Sequence, residues 1–325
     1  MNSDFKLKTH SLVKSPVISV IIPFYGDLND LTECLEGLSN QNFNFDFEII
    51  VSESGNDSKV EDLINFMDNA QLISSSSLMY PGKARNLGVK YSNASLLAFI
   101  DSDCVPSPCW LSEIYFSLNN GNDIVIGPVL NLYPFHPVAS VDNIFLFTDF
   151  QKHRSSKNIN HFAGCSFGIS KKLFYVAERF PEDSEIAEDT IFSEKVLKKG
   201  KVCFNKKMIV KHKGRKEIKQ FKKHHEKFGF YKGYLNLKTS SSNKNYRKNY
   251  FYPAILGLRR LIYILIRTLQ WNPVGLIRVI IFFPLLLLGI SSWIRGFRNG
   301  ELKFISEISI HDYGITLDNS NKEHI

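Results

Sequence analysis

Two carboxylates, Asp101 and Asp103, stand one residue apart directly after the apolar run at residues 95–100. The run is typical of a buried strand, and strand side chains alternate with period two, so both carboxylates are expected to point the same way. Carboxylates that face one spot repel each other unless a positive charge lies between them. A divalent cation that bridges phosphate oxygens would supply that charge, because hard cations prefer oxygen ligands. An ordinary acidic loop is the alternative, and the isolated pair leaves both interpretations open.

The elements that must position these carboxylates alternate between strand and helix signals over residues 17–212. This alternation is typical of an α/β domain with a largely parallel central sheet, which binds ligands at the carboxyl ends of its strands. Tyr25, Glu53, Asp101 and Asp103 all fall at such ends. The predicted elements are strands at 17–22, 47–51, 95–100 and 123–126, and helices at 27–39, from a cap at Asp57 or Ser58 to Met67, at 81–91 and from Pro108 onward.

Composition and missing motifs exclude several classes of protein. The 325 residues are 44% hydrophobic, enough for one large domain or for one domain with an appendage. Five cysteines without a C-x-x-C pair disfavour a zinc site or a disulfide framework and favour a reducing compartment. The chain lacks a G-x-G-x-x-G, a G-x-x-x-x-G-K-[ST] and an H-E-x-x-H motif. The first 16 residues are polar, so no signal peptide is expected there.

Positive charge is concentrated in one segment. The net charge is +8, but residues 195–250 alone carry 19 Lys and Arg against two Glu, which is +17 and leaves −9 for the remainder. Such a segment usually meets phosphates, either those of a nucleic acid or those of an anionic membrane surface.

An apolar stretch at residues 274–294 favours the membrane. It is interrupted only by Arg278 near one end and two serines near the other. Its length matches the roughly 20 residues that cross a hydrocarbon core. Pro284 lies within it, so a kinked or re-entrant hairpin competes with a straight span.

A second apolar stretch, at residues 252–271, carries Arg259, Arg260 and Arg267. Their spacing would allow one helix face to hold all three, as in a helix that lies in the membrane interface. Because the basic segment adjoins these stretches, membrane attachment is favoured over the alternative of buried core helices.

These patterns predict five parts of the chain. They are an N-terminal tail at 1–16, an α/β domain at 17–215, a basic helical or linker segment at 216–250, membrane-associated apolar helices at 251–296 and a C-terminal tail at 297–325.

Five segments in a fixed order resemble the family-2 glycosyltransferases with the GT-A fold. They are VISVIIPFYGD (17–27), IIVSESGND (49–57), PGKARNLG (81–88), FIDSDCVP (99–106) and AEDTIFSEKVLKKG (187–200). The resemblance implies a Rossmann-like, mostly parallel central sheet flanked by helices, here with C-terminal apolar helices added. It also implies transfer of a sugar from a nucleotide-diphosphate donor to an acceptor hydroxyl, with inversion at the anomeric carbon.

The resemblance assigns a donor site to the strand ends. Pro23 and Tyr25 belong to the loop that wraps the nucleobase, and Glu53 matches the acid that contacts base or ribose, with a capping acid for the next helix as the alternative. Lys83 and Arg85 would approach the donor diphosphate, although a solvated helix face is nearly as well supported for Lys83. Ser102, between the two carboxylates, is assigned to donor binding as well.

The D-x-D motif carries the metal assignment. Asp103 would bind Mg²⁺ or Mn²⁺, and Asp101 would contact the donor sugar or ribose and could share the metal, which offsets charge on the departing diphosphate. His212 could complete the metal site, although a strand-end histidine held by structural contacts is the favoured interpretation. His224 and His225, in the Lys-rich segment, are expected to be solvated.

The E-D motif carries the acid–base assignment. Asp189 is the predicted general base, because a carboxylate at a helix start stays ionised, and an acidic cluster at a helix N-terminus is the alternative. Glu188 and Gly164 are assigned to the acceptor side, Gly164 as a small residue that lets the sugar approach the backbone.

These assignments predict a membrane-associated enzyme on the cytoplasmic face, acting in surface glycan or glycolipid synthesis. Because the Q-x-x-R-W motif of processive members is absent, transfer of a single sugar is expected. The expected partners are a nucleotide-diphosphate sugar, a glycan or lipid-linked acceptor and an anionic membrane, without nucleic acid. Two alternatives remain open: a nucleic-acid-binding protein that uses the basic segment, and a degenerate enzyme that only binds a nucleotide at the membrane.

Overall fold

A large mixed sheet forms the centre of the molecule, and the computed structural model describes residues 5–155, 159–239 and 251–312. The strands are β1 (Phe5–Leu7), β2 (Ile18–Phe24), β3 (Phe47–Ser54), β4 (Ala70–Ser75), β5 (Leu96–Ile100), β6 (Cys104–Pro106), β7 (Ile124–Ile126), β8 (Val129–Asn131), β9 (Ser166–Ser170), β10 (Val202–Phe204) and β11 (Val210–His212).

The helices cover both faces of this sheet and continue beyond it. They are α1 (Leu28–Ser39), α2 (Ser58–Asn65), α3 (Pro81–Lys90), α4 (Trp110–Asn119), α5 (Pro137–Leu146), α6 (Lys171–Val176), α7 (Glu188–Val196), α8 (Ile218–Thr239), α9 (Tyr252–Trp271), α10 (Pro273–Ile281) and α11 (Phe283–Asp312), with a 3₁₀ turn at Thr148–Phe150.

Strand order in the large sheet is β1-β4-β3-β2-β5-β9-β7-β10, with β2, β3, β4 and β5 parallel to their neighbours in this group. β9 runs antiparallel between β5 and β7, and a small second sheet has the order β6-β11-β8. Among the parallel strands, β2 and β5 are nearly continuous apolar runs, whereas β3 and β4 include buried polar residues. Almost all residues of these four strands are buried because helices cover both faces of the sheet. The predicted α/β class with a mostly parallel central sheet and C-terminal helices is thereby confirmed.

The predicted helix starts follow the capping chemistry of the sequence. Asp27 and Asp57 cap α1 and α2, each accepting a hydrogen bond from the backbone N–H two residues on. Pro81 occupies the first turn of α3. The local signals therefore place these helices to within about two residues, as capping arguments allow.

The C-terminal helices build a second hydrophobic core with α5. Phe145 of α5, Phe221 of α8, Ile264 of α9 and Leu286 of α11 are all buried in it. Arg260 of α9 also turns inward, over the rings of Phe145 and Trp293. One helix face was expected to hold Arg259, Arg260 and Arg267, as in a helix that lies in the membrane interface. Arg259 is exposed, whereas Arg260 is half-buried against this core.

Helices α10 and α11 bend at Phe282 instead of forming one straight segment. In the described part of the chain no single helix is long and apolar enough to cross a membrane, whereas α10 and α11 pass that test together with a bend of 85° between them. Of the alternatives for residues 274–294, the bent arrangement is the one observed. The predicted tails are also structured in part, because β1 lies within residues 1–16 and α11 continues past 296 to Asp312.

Glycines bring α8 and α11 into backbone contact. Gly229 and Gly233 on α8 face Trp293 and Phe297 of α11, and a Cβ on Gly229 would lie 2.0 Å from the Trp293 carbonyl oxygen. Gly296 and Gly300 on α11 reciprocate, and a Cβ on Gly296 would lie 1.8 Å from the Glu226 carbonyl oxygen. Both pairs have the small-x-x-x-small spacing that lets helix backbones approach closely.

We predict that Gly296→Val separates α8 from α11, because a side chain there meets backbone that cannot move aside. Overpacking of this kind costs on the order of 3 kcal/mol, so thermal unfolding should shift down by several degrees. Ser291→Val, at an exposed position of the same helix, is the control and should leave the melting temperature nearly unchanged. Equal melting temperatures for both variants would contradict the close contact.

Candidate active site

A buried arginine, Arg85 on α3, lies at the centre of the candidate site. Its Nη2 donates a hydrogen bond to Asp101 Oδ1 and its Nη1 donates to Glu188 Oε1, both at 2.6 Å. Arg85 is only 2% exposed. Asp101 directly follows β5 and Glu188 begins α7, so one guanidinium joins the end of a central strand to the start of a distant helix. Charge-assisted hydrogen bonds of this length are the strong kind.

The electrostatics of this cluster follow from burial and from the single cation. Burial alone would lower the pKa of Arg85, but the two carboxylates raise it above its ordinary value. Burial raises the pKa of Glu188 to about 7, with Arg85 opposing the shift and Asp189 adding to it. Desolvation likewise raises the pKa of Asp101, against the pull of Arg85. Two acids therefore share one positive charge, and neither is as strong an acid as in water.

Asp189, the predicted base, lies beside this cluster. The backbone N–H of Gly164 donates to Asp189 Oδ2 at 3.1 Å. A Cβ on Gly164 would lie 3.0 Å from Arg85 Nη2 and 3.2 Å from Asp189 Cβ, so the position leaves little room for a side chain. Ala187, just before α7, has a left-handed φ of 68°, a strained conformation for a residue with a side chain. The turn thereby directs Glu188 to Arg85 and Asp189 to Gly164.

Asp103 pairs with His212 instead of with Arg85. Asp103 Oδ2 lies 3.3 Å from His212 Nε2, and strand pairing sets Cys104 of β6 opposite His212 of β11. Burial alone would raise the pKa of Asp103, but the His212 imidazole and Arg215 bring it down to about 2. This contact is compatible with both interpretations of His212, a strand-end histidine held by structural contacts and a metal ligand. It depends on the pairing of two strands about a hundred residues apart.

One ligand atom each of Asp103, Cys104 and His212 lies within 4.8 Å of the others, close enough to hold a metal ion. Carboxylate oxygen and imidazole nitrogen suit Mn²⁺, whereas a thiol is a soft ligand that suits it poorly. Asp103 and His212 therefore fit the predicted ion. Asp101 lies outside this cluster and is paired with Arg85. The geometry therefore does not support the prediction that Asp101 binds the metal together with Asp103.

The predicted donor residues divide into an exposed and a buried group. Pro23 is the second-to-last residue of β2, and Tyr25 directly follows this strand with 71% of its surface exposed. Glu53, paired with Phe24 across the β2–β3 register, is buried. Its Oε1 accepts the Asp57 N–H at 2.6 Å and its Oε2 accepts the Ser74 hydroxyl at 2.5 Å. These contacts match the alternative interpretation, a capping acid, because each carboxylate oxygen already accepts a hydrogen bond from a neighbouring residue.

Lys83 and Ser102 lie at different distances from the cluster. The Lys83 ammonium lies 5.4 Å from the centre of the Phe5 ring on β1, away from Arg85 and toward the opposite edge of the sheet. Ser102 lies in the turn that the Cys104 N–H closes on the Asp101 carbonyl. The structure therefore brings together Arg85, Asp101, Glu188, Asp189 and Gly164, with Asp103 two residues from Asp101 and His212 beside it.

A second buried charge cluster was not predicted. Asp142 on α5 is fully buried and accepts from His225 Nε2 at 3.0 Å and from the backbone N–H and Nη1 of Arg215. Although burial alone would raise the pKa of Asp142, His225 and Arg215 hold it well below its ordinary value. The expectation that His225 is solvated is wrong. A lone acid inside the apolar helix PVASVDNIFL was the available signal.

Comparisons with known proteins concern the family and the fold of this chain. Residues 19–176 match the model of the glycosyl transferase family 2. "Glycosyltransferase AglE" of Haloferax volcanii is 27% identical over 158 residues, which cover 45% of this chain and 52% of that protein. The "Poly(ribitol-phosphate) beta-glucosyltransferase" of Bacillus spizizenii is 32% identical over 117 residues, 34% of this chain and 18% of that protein. The chain thus spans about half, or less, of the length of these relatives.

A solved structure agrees at the level of the fold. The mannosyltransferase PcManGT from Pyrobaculum calidifontis, in complex with GDP-Man and Mn²⁺, is 15% identical with a TM-score of 0.51, covering 94% of this chain and 89% of that one. At this identity the likeness concerns the fold alone. Together with the family match and the sheet order, it shows that the chain carries a glycosyl transferase family 2 domain on a GT-A-type fold.

Proposed function

We propose that this protein transfers a single sugar, with inversion, from a nucleotide-diphosphate sugar to a hydroxyl of a glycan or lipid-linked acceptor. The observation that carries the proposal is the Arg85 bridge between Asp101 and Glu188. It keeps Asp103, two residues after Asp101, and Asp189, next to Glu188, at the same end of the sheet. A metal-binding carboxylate and a base are needed together for such a transfer.

In the proposed mechanism Asp189 accepts the proton of the acceptor hydroxyl as that oxygen attacks the anomeric carbon. The Gly164 N–H holds one carboxylate oxygen of Asp189 and the Thr190 N–H holds the other, so the carboxylate is oriented before the acceptor arrives. Arg85 uses both Nη atoms on carboxylates, which supports a role in positioning them over direct contact with the diphosphate.

Asp103 and His212 are the proposed ligands of Mn²⁺ or Mg²⁺. A divalent ion there would offset the negative charge that develops on the leaving nucleotide diphosphate. Tyr25 is exposed just past the carboxyl end of β2, and Pro23 is half-buried near the end of this strand. Both are suited to contact the base of the donor, because ligands bind at the carboxyl ends of the strands in sheets of this kind.

The nucleic-acid alternative loses its stacking surface in this fold. Phe221 is fully buried, and Phe228 packs against the second core. Tyr231 and Tyr234 donate their hydroxyls to Glu185 and Glu307. Phe221 is therefore not available to stack on bases, and the other three half-buried rings are held by contacts within the molecule.

We predict that Asp189→Asn lowers transfer by roughly 10²–10⁴-fold, the contribution typical of a general base. Binding of the donor should persist, since the substitution preserves shape. A thermal-shift screen of nucleotide sugars with Mn²⁺ identifies the donor. Transfer is then measured as product formation with that donor. NMR of the product reports its anomeric configuration, which tests for inversion. Asp183→Asn, an exposed acid before α7, is the control. Undiminished transfer by Asp189→Asn would refute the assignment.

We also predict that Asp103→Ala and His212→Ala each abolish the part of the donor-induced thermal shift that depends on Mn²⁺. Transfer should fall by roughly 10²-fold or more, as expected when several kcal/mol of charge stabilisation are lost. Asp62→Ala, exposed on α2, is the matched control, and Cys104→Ser tests whether sulfur takes part. A shift that keeps its Mn²⁺ dependence in Asp103→Ala would exclude this ligand set.

A further inference from the structure

Helix α9 presents an unbroken apolar stripe to solvent. Its members recur at spacings of three and four, so they share one helix face, and each is 47–59% exposed: Ile255, Leu258, Ile262, Ile266 and Leu269. The opposite face, with Gly257, Ile264 and Thr268, is buried. The second core therefore uses only one side of an apolar helix, and the other side is left uncovered.

The next two helices continue this pattern along the chain. On α10 the residues Val274, Ile277, Ile280 and Ile281 are 59–64% exposed. Phe283 and Leu287 extend the stripe into the first turns of α11, and the next exposed positions of this helix, Ser291, Arg295 and Asn299, are polar. Soluble helices keep their apolar residues on the core side, and exposed apolar surface of this extent marks an interaction site.

Charge identifies the partner. Residues 251–300 contain six arginines and no aspartate or glutamate. Arg259 is exposed beside the α9 stripe, and the Arg267 guanidinium lies 4.5 Å from the Trp271 ring centre. Arg278 of α10 lies 5.9 Å from the ring of Phe135, a side chain that is itself 89% exposed. Apolar helices whose own charged residues are all cationic complement acyl chains beneath anionic headgroups.

We infer that the exposed stripes of α9, α10 and early α11 dock on an anionic lipid bilayer, with α9 lying in the plane of its interface. The same face connects to the candidate site through side chains. Tyr263 of α9 donates to Asp149 at 2.5 Å, and Asp149 lies 3.5 Å from His161, three residues before the Gly164 that holds Asp189. This part of the inference rests on the proposed function: the contact path places a lipid-borne acceptor on the same side of the molecule as the proposed base, Asp189.

The test is sedimentation of the full chain with vesicles of phosphatidylcholine, alone or mixed with phosphatidylglycerol. We expect binding to the mixed vesicles that weakens with added salt. The double variant Ile262→Glu/Ile277→Glu should lose about tenfold or more of this binding, because each charge is placed where acyl chains would lie. Arg259→Glu should lose about fivefold or more, since each surface cation contributes to headgroup attraction.

Phe66→Glu, at an exposed aromatic outside the C-terminal helices, is the matched control and should bind as the wild type does. The Mn²⁺-dependent donor thermal shift should be unchanged in all variants, which separates this proposal from the proposed function. Alkaline carbonate should extract the bound protein. Three results would overturn the proposal: no sedimentation with either vesicle, resistance to carbonate, or a dimer that the double variant converts to a monomer.

Discussion

A single buried guanidinium, that of Arg85, holds the candidate site together. Asp101 and Glu188 lie far apart in the sequence, and their carboxylates would repel each other in this interior without the guanidinium between them. The cost of burying these ions is offset only because the geometry is close and each Nη has its own carboxylate partner. The bridge also bears on the neighbours of the two acids, because Asp103 lies two residues after Asp101 and Asp189 directly follows Glu188. The contact between Asp103 and His212 is set separately, by the pairing of β6 with β11.

The bridge also explains why the residue at position 164 must be as small as glycine. Arg85 and Asp189 approach the same Cα from two sides, and a methyl group would contact both. A site that depends on such close packing is preorganised, because its side chains are held by neighbours before any substrate arrives. The left-handed Ala187 belongs to the same arrangement, as it turns the start of α7 toward Arg85.

The C-terminal helices are joined to the α/β domain through α5. Phe145 packs into the second core, while Asp142 on the same helix binds Arg215 and His225. Residues 213–215 directly follow His212, so the helix that contacts the C-terminal unit also supports the strand end beside Asp103. Apolar packing and one buried ion cluster thus couple the two parts of the molecule.

Local chemistry in the sequence determined the order of strands and helices, the caps at Asp27 and Asp57 and the approximate location of the site, because periodicity and capping act over a few residues. Tertiary structure alone decided that Arg85 faces two acids, that His212 meets Asp103, that Glu53 is turned inward, that Arg260 is half-buried and that His225 is buried. These facts depend on strand register and on contacts between residues far apart in the chain, which no local pattern encodes.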